Sequence, residues 1–150
     1  MGEKILVVDD EEVVREMLRT LLETEGYEAI LASNGDEAIR LAESQNPHLI
    51  ILDAVMPERD GINTSIALRA NEKTRAIPII LATGFAEVLT EAVNAGIDDC
   101  VVKPFELDRL MVRVRGMLKV RHLEDELERA TAYMQELRKA ASPCGKPPTL

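Results

Sequence analysis

Five short apolar runs, each followed by a stretch with helical period, constrain this chain more than any other feature. The runs are 4–8 (KILVV), 27–32 (YEAILA), 48–52 (HLIIL), 77–82 (IPIILA) and 99–102 (DCVV). Residues 11–25 carry Val14, Met17, Leu18, Leu21 and Leu22 at helical spacing, and Gly26 follows as a C′ glycine would. Residues 36–44, 62–70 and 87–95 read as helices in the same way, and a last helix starts near 106. Strand-length runs alternating with helices require a parallel sheet covered on both faces, with short right-handed crossovers.

The expected fold is therefore α/β: a doubly wound, five-stranded parallel sheet of the flavodoxin-like order 2-1-3-4-5, with an extended C-terminal helix. No Gly-x-Gly-x-x-Gly follows the first run and no Walker glycine-lysine loop occurs, which argues against dinucleotide and nucleoside-triphosphate sites. At 150 residues the chain suits one well-buried domain. Its formal charge of −9, from 27 acidic and 18 basic residues, argues against the electrostatic footprint of a general nucleic-acid binder. Most of that acidity lies in 1–102, with 20 acidic against 8 basic residues. No run is long enough to span a bilayer, no signal-peptide core opens the chain, and Cys100 and Cys144 sit in unrelated contexts. A cytoplasmic location is the expectation.

In open α/β sheets ligands bind outside the carboxyl ends of the strands. Those ends carry Asp9 and Asp10 after the first run, Asp53 after the third, Thr83 after the fourth and Lys103 after the fifth. Taken singly, each has an ordinary explanation: an Asp caps a helix, a Thr sits in a turn, a Lys is a solvated charge. Three carboxylates in one crevice repel one another, and a divalent cation relieves the repulsion; Mg²⁺, which keeps part of its water shell, suits such oxygen ligands. An added ammonium and hydroxyl make the crevice a phosphoryl site, in which an Asp is a recognised nucleophile.

The segments ILVVDDEE, LIILDAVMPERDG, LATG and VVKPF resemble the signature segments of the receiver domain of two-component response regulators, in the expected order over about 4–118. The resemblance implies a phosphorylation-controlled signalling module, not an enzyme with an outside substrate; it would catalyse only its own phosphorylation and dephosphorylation. It makes Asp53 the phosphoacceptor, with Asp10 and Asp53 as direct Mg²⁺ ligands, Asp9 acting through water and the Val55 backbone carbonyl as a further ligand. Thr83 would close on the phosphoryl group, Lys103 would pair with it, and the Lys103–Pro104 bond would be cis. The implied donor is a sensor histidine kinase or phosphotransfer protein. Two positions depart from the family. Cys100 stands where relatives carry the aromatic switch residue, with Phe85 a partial substitute or a packing residue. Val55 stands where many carry a polar side chain, which predicts a different phosphoryl lifetime. Asp99 beside Cys100 predicts a raised thiol pKa and an inert, buried cysteine.

Past 118, Val120, Leu123, Leu127, Ala130, Met134 and Leu137 follow the 3-4 spacing of a coiled-coil seam. The expected organisation is a receiver over 1–118, a helical extension over 119–140 continuous with the last receiver helix, and a flexible tail or linker over 141–150. A continuous helix over 106–140 would run about 50 Å and predicts a parallel homodimer, the alternative being an amphipathic tail that folds back on its own domain. By resemblance to similar extensions in the receiver family, it would lead to an effector domain or protein. Two other readings stand beside the signalling one. A phosphatase of the haloacid-dehalogenase type would place its nucleophile after the first strand with a general acid two residues on; here the candidate nucleophile follows the third strand and the residue two on is Val55, which cannot protonate a leaving group. A scaffold receiver that takes no phosphate would not need the full set of polar strand ends.

Overall fold

A computed structural model describes residues 2–56, 60–84, 94–104 and 106–141. The expected helix over 87–95 lies almost wholly outside these residues, as do Phe85 and Cys144. The chain divides into two compact units, Met1–Pro104 and Phe105–Leu150.

The first unit is the sheet with its described helices. Strands β1 (Lys4–Val8), β2 (Glu28–Ala32), β3 (Leu49–Asp53), β4 (Ile79–Thr83) and β5 (Asp99–Val102) pair in parallel in the order β2-β1-β3-β4-β5. The central strands β1, β3 and β4 are almost fully buried, which is why they read as continuous apolar runs and not as alternating ones. Leu6 and Val8, Ile50 and Leu52, and Ile79 and Leu81 share one core with Ala38 and Ala42 of α2 (Gly35–Gln45) and Leu68 of α3 (Gly61–Ala70). Alternate residues such as Ile5 and Val7 point to the opposite face. Helix α1 (Glu12–Thr24) contacts β1 and β2 and buries Leu18 and Leu22.

Local chemistry sets the element ends. Gly26 takes φ +92° after α1, as expected of its position. Asn34 caps α2 by accepting from the Glu37 N–H at 2.8 Å, and Glu37 returns the favour by accepting from the Ser33 N–H at 3.0 Å. Strand β4 starts at Ile79, two residues later than the apolar run suggests. Ile77 belongs to the preceding turn, where its N–H donates to the Thr74 carbonyl and its carbonyl accepts from Arg69 Nη1 at 2.6 Å.

The second unit is a helical hairpin and corrects the expectation of one continuous C-terminal helix. Helix α4 (Leu107–Val120) stops, 121–125 turn, and α5 (Glu126–Ala141) packs back against α4. Asp125 starts α5 by accepting from the Glu128 N–H at 3.0 Å, the N-cap role that an acidic cluster concealed in the sequence. Gly116 permits the close approach: a Cβ there would meet Tyr133 Cε1 at 3.3 Å and Glu136 Cβ at 3.4 Å. Tyr133 is buried, and Lys119 pairs with Glu136 at 3.4 Å. The expected seam is thereby divided, with Val120 in α4, Leu123 in the turn, and Leu127 and Met134 exposed on α5.

Candidate functional site

The parallel register brings the carboxyl ends of β1, β3, β4 and β5 to one edge of the sheet. Asp9 follows β1, Asp53 ends β3, Thr83 ends β4, and Lys103 follows β5. Asp9, Asp53 and Thr83 are buried, whereas Asp10 is exposed. Lys103 Nζ lies 3.1 Å from Asp9 Oδ2 and 3.2 Å from Asp53 Oδ1. The Lys103 main chain is fixed too, its N–H donating to the Thr83 carbonyl at 2.7 Å, and the Lys103–Pro104 bond is cis. One carboxylate oxygen from each of Asp9, Asp10 and Asp53 falls within 4.8 Å of the others.

Asp9 is not the cap of α1 that its place in the sequence allows. Glu11 is the N-cap, and Asp9 Oδ1 accepts from the Glu11 N–H at 2.9 Å. That bond turns the chain so that Oδ2 faces Lys103. Asp53 Oδ1 accepts a 3.3 Å bond from the Val55 N–H, and the Val55 side chain stands outward, more than half exposed.

Burial pushes the Asp53 carboxyl above its ordinary range, and the neighbouring Asp9 adds to the rise; Lys103 offsets only part of it. Burial acts on Lys103 in the opposite sense, but Asp53 and Asp9 together raise its pKa, so the ammonium stays charged. Lys103 thus serves two buried carboxylates, and the exposed Asp10 adds a third acid beside them. Such a set of hard oxygen donors with uncompensated charge fits a hard divalent cation of the Mg²⁺ kind.

Two residues that sequence reasoning missed shape the site through main-chain contacts. Gly61, which seemed only to frame a loop, has its N–H on the Ala54 carbonyl at 3.0 Å, and a Cβ on it would come 2.3 Å from the Asp53 carbonyl oxygen. Arg15 reaches back from α1, its Nη1 donating to the Asp9 carbonyl at 2.7 Å. Nothing in the spacing singles out Arg15; the glycine directly after Asp60, which caps α3, was the available signal for Gly61. Cys100 is half-buried against the core, and burial first, then Asp99, raises its thiol pKa.

The profile of the response regulator receiver domain matches residues 5–115. The chain belongs to the response-regulator receiver family. Among curated proteins the receiver is 44% identical over 119 residues to "Probable transcriptional regulator ycf27" of Porphyra purpurea, covering 78% of the chain and 48% of that protein. It therefore spans about half the length of this relative. Among solved structures, the response regulator TrrA from Thermotoga maritima, in complex with Mg(2+)-BeF, is 38% identical with a TM-score of 0.69, covering 75% of this chain and 96% of that one. The receiver domain of the sensor histidine kinase PA1611 from Pseudomonas aeruginosa, with a magnesium ion coordinated in its active-site cleft, is 32% identical with a TM-score of 0.68, covering 74% and 93%. The receiver has the five-stranded order 2-1-3-4-5 of this family, and receivers are signalling modules. No helix among the described residues is long and apolar enough to cross a membrane.

Proposed function

We propose that this receiver accepts a phosphoryl group onto Asp53 from the phosphohistidine of a histidine kinase or phosphotransfer protein, with Mg²⁺ bound at the acidic cluster. The observation that carries the proposal is Lys103 Nζ held at 3.1 Å from Asp9 and 3.2 Å from Asp53 at the carboxyl edge of the sheet. In the transfer, Asp53 attacks phosphorus, the phosphorus–nitrogen bond breaks, and its electron pair stays on the donor imidazole. Asp53 Oδ1 is engaged by Lys103 and the Val55 N–H, which leaves Oδ2 to attack. Lys103 then neutralises negative charge on the phosphoryl oxygens, and the Thr83 hydroxyl, on the adjacent strand, donates to one of them. Asp10 and Asp53 would hold Mg²⁺ directly, Asp9 through water and Val55 through its carbonyl; the ion supplies further neutralisation of the phosphoryl oxygens.

Val55 bears on the competing phosphatase reading, because its side chain cannot protonate a leaving group. The test is the intact mass after incubation with Mg²⁺ and a small acyl phosphate. The expected result is a gain of one phosphoryl group that is absent from Asp53→Asn. Steady turnover without an adduct would favour a hydrolase, and no gain under any condition would favour a scaffold. The product would signal to an effector outside the receiver, on the same chain or another, and the protein would act in the cytoplasm.

A further inference from the structure

The hairpin leaves one side of α5 without a described partner. Leu127 and Met134 are 77% and 52% exposed, and Ala130 lies exposed between them. Tyr133, by contrast, points to α4 at Gly116. The helix is also polarised along its length. Its N-terminal end and the turn before it carry exposed Glu124, Glu126 and Glu128, and its C-terminal end exposed Arg138 and Lys139. Arg138, Glu124 and Glu128 make no side-chain ion pair among the described residues, whereas Lys139 reaches Glu136 at 3.5 Å.

We infer that the Leu127–Ala130–Met134 stripe is the docking surface for the α5 helix of a second copy of this chain, running antiparallel. Charge complementarity selects both the occupant and the direction. A parallel pair, which the uninterrupted seam suggested, would set Glu128 beside Glu128 and Arg138 beside Arg138. An antiparallel pair about a two-fold axis near 131–132 sets each acidic end against the other copy's basic end, twice over, and opposes the two helix dipoles. Leu127 then packs across from Leu137 and Ala130 across from Met134, so apolar residues meet in successive layers. The two hairpins together form a four-helix assembly.

The same polarity suits the dipole of an isolated helix, so the test must ask for coupling between copies. Sedimentation equilibrium of the full chain should show a monomer–dimer equilibrium. Arg138→Glu/Lys139→Glu should weaken the dimer about tenfold, because two attractive ends become repulsive. Adding Glu124→Lys/Glu128→Lys to the same chain should restore the affinity. Leu127→Glu, at an exposed position, should abolish dimers while circular dichroism shows the helical content unchanged. A monomer at every concentration, a dimer indifferent to the first charge reversal, a failure of the four-fold reversal to restore it, or a dimer that survives Leu127→Glu would each overturn the inference.

Discussion

Asp53 sits between opposing influences, and they make its ionisation visible in stability. Burial and Asp9 raise its pKa above the ordinary 3.8, against the pull of Lys103. A group with a raised folded-state pKa contributes stability that is fully present below its unfolded pKa and lost as pH rises through the folded one. Asn at this position does not titrate. In metal-free buffer Asp53→Asn should therefore melt above the wild type at neutral pH, and the gap should close as the pH falls below the ordinary Asp range. Mg²⁺ at about ten times its Kd should stabilise the wild type by about 1.4 kcal/mol and the variant hardly at all. Melting curves across pH check both; a gap that widens in acid would contradict the assignment. The polar residues at the site were legible because each stands directly after an apolar run. Arg15 was not, because it acts on the Asp9 carbonyl six residues away, and a donor to main chain leaves no mark in side-chain chemistry.

At the scale of elements, the junction between β3 and α3 depends on a residue without a side chain. A Cβ on Gly61 would lie 2.3 Å from the Asp53 carbonyl oxygen and 2.9 Å from Ala54 Cα, and backbone on both sides leaves little room to yield. Gly61→Ala should destabilise the fold by about 1–3 kcal/mol in urea denaturation, with the loss also lowering phosphoryl uptake because the acceptor shifts. A cost near zero would show that α3 can move away without disturbing Asp53. Strand existence followed from the apolar runs, since buried parallel strands cannot alternate. The C-terminal helices were harder to read. The 3-4 spacing persists across the turn at 121–125, and nothing in it says that Asp125 will act as a cap or that Gly116 will admit Tyr133. A seam and a hairpin stripe share the same period, and only packing separates them.

For the whole molecule, the division of charge follows the division of labour. Most of the acidic residues fall within 1–102, and three of them converge where Lys103 pairs with two. The helical unit beyond Pro104 carries an exposed apolar stripe between ends of opposite charge. The proposed function rests on Asp53, and no other carboxylate, taking the phosphoryl group. Borohydride reduces an acyl phosphate to an alcohol and leaves free carboxylates alone, so reduction of the phosphorylated protein followed by peptide mapping locates the acceptor. Homoserine is expected at position 53, with Asp9 and Asp10 unmodified; homoserine at either of those positions, with Asp53 intact, would show that Asp53 is not the acceptor.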